Sequence, residues 1–117
     1  MNSPEQIINS YIEAYNAIDV PKMLSLFADD CVFENVSNSS PLMRVEGLKE
    51  LEKTALTSAQ LFKEREQKIV HQVISQHEAA IRIIYRAVLT TDQRLELQGA
   101  SFFEFENGKI KRLIDLS

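Results

Sequence analysis

The chain has 117 residues, 44% of them hydrophobic and 26% charged, with a formal net charge of −4. These values predict one globular domain over residues 1–117, and the acidic balance argues against nucleic acid and membrane partners, which attract basic surfaces. The single cysteine, Cys31, excludes an internal disulfide. With no signal-peptide pattern and no apolar stretch of about 18 residues, we expect a cytoplasmic location.

Two helices are predicted in the first part of the chain. Residues 3–6 combine a capping serine, a first-turn proline and a glutamine that can complete a capping box. Apolar residues then recur at helical spacing up to Ile18. Asp19 before Pro21 starts a second helix, which is expected to end at Asp29-Asp30. Its apolar stripe consists of Val20, Met23, Leu24 and Phe27.

The rest of the chain predicts a third helix and a meander of strands. A short strand over 31–36 precedes a polar loop over 37–41, and a helix begins near Gly47. From Lys63 the apolar period becomes alternating, and Asn107-Gly108 is a strong hairpin signal. Helices followed by long strands indicate an α+β domain with an antiparallel sheet. The predicted strands are 64–76, 78–90, 95–106 and 109–116.

Three segments carry a family resemblance. Residues 10–19 (SYIEAYNAID) and 26–35 (LFADDCVFEN) are similar to the N-terminal half of bacterial ketosteroid isomerases, and Phe103 to Ile110 (FEFENGKI) is similar to their C-terminal part. The chain thus resembles the ketosteroid isomerase and SnoaL-like polyketide cyclase group of the nuclear-transport-factor-like superfamily. The resemblance implies a cone-shaped curved antiparallel sheet, wrapped by three N-terminal helices around an apolar pocket. Enzymes and binding modules share this scaffold, so it implies fold more than function.

The resemblance also implies site residues. Ketosteroid isomerases use a carboxylate base and two donors to the enolate, a tyrosine and a protonated aspartic acid. The tyrosine corresponds to Tyr11, but the base position is Asn35, which cannot take a proton, and the acid position is Ser101. The pocket is expected to persist without the steroid isomerase mechanism.

Three of the candidate residues allow two interpretations. Tyr11 is either a core tyrosine or a donor into the pocket. Asn35 is either a strand-end residue or an amide that orients a water, as in limonene epoxide hydrolase. The epoxide interpretation is weakened because that enzyme's strand tyrosine falls on Phe33 and its Arg-x-Asp has no counterpart in 81–89. Asp115 is either solvated near the chain end or a base on the pocket floor.

Strand alternation favours the pocket for Asp115. It shares a face with Leu113, which the resemblance places on the pocket floor, whereas Glu34 alternates away from Phe33 and Asn35. Burial would raise the pKa of Asp115 above about 3.9, and Tyr11 would be its partner donor. The residues expected to contact a ligand are Tyr15, Phe27, Phe33, Phe62, Tyr85, Phe103 and Leu113.

The remaining polar residues suggest no cofactor. His71 and His77 are the only histidines, and no cluster has metal-ligand spacing, so neither metal nor cofactor is expected. Cys31 follows two aspartates, which disfavours a thiolate. An outer sheet face carrying Arg86, Val88 and Phe102 mixes arginine with apolar residues, which predicts a homodimer.

Two functional hypotheses follow. The first is a small-molecule enzyme of the isomerase or cyclase class, acting on a hydrophobic carbonyl compound by acid–base chemistry without a cofactor. The second is a non-catalytic module that binds a small hydrophobic ligand or dimerises. Asp115 and Tyr11 in one pocket would favour the first, and the lost isomerase base favours the second.

Overall fold

The computed structural model describes residues 2–37 and 40–117, apart from the side chains of residues 40 and 41. Asn38 and Ser39, at the centre of the predicted polar loop, lie outside this set. The helices are α1 (Pro4–Asn16), α2 (Val20–Leu24) and α3 (Leu48–Ala59). The strands are β1 (Phe27–Ser37), β2 (Ser40–Glu46), β3 (Phe62–Ile74), β4 (Glu78–Leu89), β5 (Arg94–Glu106) and β6 (Lys109–Leu116).

The predicted α+β fold is confirmed as a curved, open sheet with three helices. Its six strands run in the order β2-β1-β6-β5-β4-β3. All neighbours are antiparallel except β1 and β6, which are parallel, so the first and last predicted strands lie side by side as the second and third strands of the sheet. None of the helices in the described ranges is long and apolar enough to cross a bilayer.

Local sequence signals fix several boundaries. The Ser3 hydroxyl accepts a hydrogen bond from the Gln6 amide at 3.2 Å, and the Gln6 side chain accepts one from the Ser3 amide at 2.9 Å, which completes the predicted capping box. Asn107 and Gly108 have φ of 52° and 74°. Because two-residue hairpins of type I′ need positive φ at both turn positions, this pair closes β5 onto β6 as predicted.

Two boundary predictions are wrong. The second helix ends at Leu24, and Phe27, expected on its stripe, begins β1 opposite Ile110. The chain is extended from Phe27 onward because its backbone pairs with β6. The segment after the predicted loop forms β2, which was not expected, because Met43 and Arg44 pair with Asn35 and Glu34 of β1.

The core lies between the concave face of the sheet and the helices. The apolar stripe of α1 is buried through Ile7, Ile8, Tyr11 and Ala14. The end of α1 is tied to β3, because the Asn16 side chain bonds both the amide and the carbonyl of Gln67, at 2.7 and 3.1 Å. This attachment fixes which side chains of α1 point towards the concave face of the sheet.

Candidate active site

Three polar residues form one row across the centre of the sheet. Asn35 on β1 is the direct partner of Asp115 on β6, and Asp115 is the direct partner of Ser101 on β5. Because directly opposed residues project on the same face, all three lie on the concave side. The structure therefore brings together the three strand residues that the sequence singled out.

Asp115 is the ionisable residue of the row. It is half-buried, and its Oδ1 accepts a hydrogen bond of 2.6 Å from the hydroxyl of the fully buried Ser101. Burial raises the pKa of Asp115 from 3.8 to about 6, while the Ser101 bond opposes the rise. The predicted direction is confirmed, and the carboxyl titrates close to neutrality.

Tyr11 comes from α1 and lies over the same row. Its ring packs edge-on against Phe27 and Phe103, with centroids 5.9 and 5.8 Å apart. The hydroxyl has no hydrogen-bond partner among the described residues. Burial, and then the charge of Asp115, raise the pKa of Tyr11 well above its usual value. Tyr11 therefore stays protonated at neutral pH and can donate a hydrogen bond.

Two adjoining cavities open on this row, with volumes of about 140 and 250 Å³. Asp115, Asn35, Tyr15 and Ser58 line both of them. Together they reach the lower part of the usual range for small-molecule sites, about 300–1,000 Å³. The smaller, inner cavity is also lined by Tyr11, Met23, Phe27, Phe33, Met43, Leu51, Thr54, Ala55 and Arg65.

The expected ligand-contact residues divide into four groups. Phe27 and Phe33 line the inner cavity, Tyr15 lines both, and Phe62 and Tyr85 line the larger one. Phe103 and Leu113 line neither, and they are only 1% and 0% exposed. They belong to the next row of the sheet, where Phe103 is covered by the Tyr11 ring. They support the wall of the site without touching its cavities.

A group of polar side chains lines the cavities, and two of its members, Arg65 and Gln67, were not anticipated. The Tyr15 hydroxyl donates to that of Tyr85 at 2.9 Å, and burial raises the pKa of both phenols, so both stay neutral. Arg65 and Gln67 of β3 are only 5% and 6% exposed. Most sequence neighbours of Arg65 and Gln67 are charged. A register shift after Phe62 also changes which alternate residues of β3 face the concave side of the sheet. The alternation of Arg65, Gln67 and Ile69 is the signal that could have placed them.

Other ionisable groups lie away from the cavities. Glu34 bonds Arg112 at 2.6 Å and approaches Arg44 at 3.5 Å, which confirms that it faces away from Asn35. Cys31 is buried, and burial raises its thiol pKa. Within the described ranges no three His, Cys, Asp or Glu side chains converge as metal ligands. Of the described carboxylates, Asp115 alone lines the two cavities.

A sequence comparison identifies the family. Residues 8–113 match the SnoaL-like domain family, so the chain belongs to that family and the predicted resemblance is confirmed. Among curated proteins none matches the chain.

Solved structures share the fold at low sequence identity. A proposed polyketide cyclase from Xanthomonas campestris is 20% identical with a TM-score of 0.81, covering 95% of this chain and 87% of its own. A protein with a ketosteroid isomerase-like fold from Catenulispora acidiphila is 13% identical with a TM-score of 0.82 (97% and 85% covered). An epoxide hydrolase of the limonene epoxide hydrolase type from M. tuberculosis is 17% identical with a TM-score of 0.80 (94% and 78% covered). These identities establish the fold alone.

Proposed function

We propose that this protein is a cofactor-independent enzyme of the isomerase or cyclase class that acts on a hydrophobic carbonyl compound by acid–base chemistry. One observation carries the proposal: a carboxyl that titrates near pH 6, Asp115, shares an apolar cavity with the unpartnered hydroxyl of Tyr11. A general base works best when its pKa lies near the working pH.

The reaction begins with proton removal beside the carbonyl. The ionised Asp115 takes a proton from the carbon next to the carbonyl, and the electron pair of that C–H bond moves to the carbonyl oxygen. Tyr11 donates a hydrogen bond to the resulting enolate, in a site with little water. Ser101 holds the carboxylate through its 2.6 Å bond.

The enolate then has two outcomes. In an isomerase, the substrate also has a C=C bond next to the deprotonated carbon, so the intermediate is a dienolate. Asp115 returns the proton to the far carbon of that bond, the electron pair on oxygen re-forms the C=O bond, and the C=C bond moves into conjugation with it. In a cyclase, the enolate carbon bonds to a second carbonyl of the same molecule, and the new alkoxide is protonated by the Asp115 carboxylic acid. Both schemes need one base and one donor, and neither needs Asn35 to ionise. The similarity to proposed polyketide cyclases supports this class of chemistry.

The second candidate is a non-catalytic module that binds a small hydrophobic ligand. It is favoured by the amide at Asn35 and by the engagement of the Ser101 hydroxyl with Asp115, which together leave the cavity with fewer reactive groups than a steroid isomerase has. Binding without proton transfer is its distinguishing property.

Deuterium exchange separates the two candidates. The wild-type protein is incubated in D₂O with phenylacetone and 2-tetralone, and loss of the α-proton signals is followed by ¹H NMR. We expect exchange above the buffer rate, rising with pH through about 6 as Asp115 ionises. Asp115→Asn should return it to the buffer rate, and Tyr11→Phe should reduce it by about tenfold to a hundredfold.

Asp30→Asn is the matched control, because Asp30 is exposed and pairs with Lys111 away from the cavities. It should exchange the ketones as the wild type does. Exchange at the buffer rate in the wild type, or full exchange activity in Asp115→Asn, would reject the proposal that the protein is an enzyme. The non-catalytic binding module would then be the better candidate.

A further inference from the structure

Arg65 is a buried cation without a counter-ion. It is only 5% exposed, and no carboxylate of the described residues lies within ion-pair distance. A charged side chain taken out of water is costly unless it is paired, and buried charges in proteins usually are. The proposed acid–base steps do not involve this guanidinium, so they do not explain why it is buried.

Contacts with α1 explain one part of the side chain. Its Nε donates to the Tyr15 carbonyl at 2.7 Å, and the guanidinium carbon lies 3.8 Å from the centroid of the Tyr15 ring. Since α1 has no basic residue in its last turn, Arg65 supplies the positive charge that favours a helix C-terminus. These contacts fix the guanidinium plane but occupy only one of about five N–H donors.

The remaining donors are available to a ligand. The Nη groups have no hydrogen-bond partner among the described residues, and Arg65 lines the inner cavity with Asp115 and Tyr11. An independent sign of unmet polarity lies two residues further along β3. Gln67 is 6% exposed and lines the adjoining cavity, and its Oε1 is buried without a partner. A buried acceptor left unpaired costs about 1–3 kcal/mol, which a hydroxyl or another donor on the ligand would relieve. The Gln67 oxygen thus indicates a ligand with polar groups, whereas the free donors of Arg65 indicate the anion.

We propose that the Nη groups of Arg65 bind a carboxylate of the ligand, so that the substrate of the proposed reaction is an apolar carbonyl compound that also carries an acid group. This inference rests on the proposed function for the carbonyl half of the molecule. A guanidinium binds a carboxylate through two parallel hydrogen bonds, which fix orientation as well as position. The anion would sit at Arg65 and the reacting carbon at Asp115, both of which line the inner cavity.

Isothermal titration of two shape-matched probes tests the anion site. Benzoate and benzamide differ in charge but hardly in size, and both are titrated into the wild-type protein at pH 7.5. We expect benzoate to bind at least about tenfold more tightly. Arg65→Gln should remove this preference, and Arg65→Lys should keep part of it, because lysine retains the charge without the planar pair of donors.

Arg86→Gln is the matched control, since Arg86 is exposed on the opposite face of β4 and pairs with Glu96. It should keep the full preference. Equal binding of the two probes by the wild type would overturn the proposal, and so would a preference for benzoate that survives Arg65→Gln. Circular dichroism checks the fold of each variant, and if Arg65→Gln is unfolded, the wild type and Arg65→Lys decide.

Asp115→Asn separates this inference from the proposed function. It should lose ketone exchange and still prefer benzoate over benzamide, because Arg65 is intact. Ketone exchange by a wild type that shows no preference for benzoate would reject the anion site alone. A benzoate preference without any exchange would reject the enzyme and keep the anion site.

Discussion

The hydroxyl of Ser101 donates a 2.6 Å hydrogen bond to the carboxylate of Asp115, its direct partner across β5 and β6. Ser101 occupies the position at which the family resemblance puts an acid that donates to the enolate. Here its hydroxyl is directed to Asp115 instead. The bond favours the charged carboxylate and limits the rise of its pKa to about 6. Ser101 therefore keeps the pKa of Asp115 below the value that burial alone would give it.

Ser101→Ala should raise the pKa of Asp115 further. Hydrogen bonds to charged groups contribute about 1.5–3 kcal/mol, so removing this one should raise the pKa by about one unit. The carboxyl ¹³C shift of Asp115, followed against pH by NMR, measures the change. Ser10→Ala on α1 is the control and should leave the titration alone. An unchanged titration in Ser101→Ala would contradict the role given to this bond.

Asp115→Asn should stabilise the protein at neutral pH. The folded pKa of about 6 lies above the ordinary 3.8, so the folded state holds the proton more tightly, and the free energy of unfolding falls as pH rises between these values. Asparagine removes that cost and can still accept from Ser101. The gain should be near zero at pH 4 and on the order of 2 kcal/mol above pH 7.

Urea unfolding at several pH values measures this difference. Asp29→Asn is the control because Asp29 is exposed on β1. A gain that does not change with pH, or a loss of stability at pH 7.5, would show that Asp115 is not desolvated.

Gly99→Ala should destabilise the end of β6. A Cβ on Gly99 would lie 2.6 Å from the Leu116 carbonyl oxygen, so the backbone beside Asp115 would have to move. Overpacking of this kind costs about 1–3 kcal/mol. Urea unfolding measures the loss, and Gln98→Ala, an exposed neighbour on the same strand, should change stability by less. If Gly99→Ala were as stable as the wild type, the backbone of β6 could move away from the new methyl group at no cost in stability.

The native protein should show negligible steroid isomerase activity. Asn35 cannot accept a proton at the position where ketosteroid isomerases hold their base, and Asp115 lies on the neighbouring strand, at a different position relative to a steroid placed as in those enzymes. Loss of a general base at its required position costs about a factor of 10² or more. A β,γ-unsaturated steroid ketone, followed by the absorbance of its conjugated product, provides the assay. Rates near those of ketosteroid isomerases would contradict the prediction.

Asn35→Asp should not restore a simple base. Asn35 is the direct partner of Asp115, so the new carboxylate would stand beside a charged one, and the pair should titrate with one pKa raised.

The protein should form a homodimer through the outer face of the sheet. Phe102 is 43% exposed there and Val73 is 75% exposed, in one cross-strand row with Ala80 and Ile114. An exposed apolar row of this kind favours cover by a second copy. Sedimentation at micromolar concentration should show a dimer, and Phe102→Glu should give monomers, whereas Thr91→Glu in a turn should not. A monomeric wild type would contradict the prediction.

Local chemistry made much of the fold predictable. The cap at Ser3 and the turn at Asn107-Gly108 depend only on residues close together in the chain, so a short stretch of sequence is enough to predict them. Alternation placed Asp115 with Leu113 because β6 has no register shift between them. The row of Asn35, Ser101 and Asp115 came from the family resemblance and from this alternation.

Non-local pairing accounts for what was missed. The strand β2 exists because Met43 and its neighbours pair with β1, and their apolar alternation is short, with Met43 and Val45 as its only apolar members. The parallel pairing of β1 with β6 depends on residues far apart in the chain. Arg65 escaped notice because a register shift in β3 moved it inward, and a charged residue in a charged segment normally faces water.

The parallel pairing of β1 with β6 also determines when the site can form. Glu34 and Arg112, which bond across this pair, are separated by 78 residues. The hairpins from β3 to β6 close short loops, whereas docking β1 closes a loop of most of the chain and is entropically slower. We therefore expect Asn35 to meet Asp115 late in folding. Until then the hairpins present one wall of the cavity to solvent, so an early folding intermediate would expose apolar surface before the row of Asn35, Ser101 and Asp115 is complete.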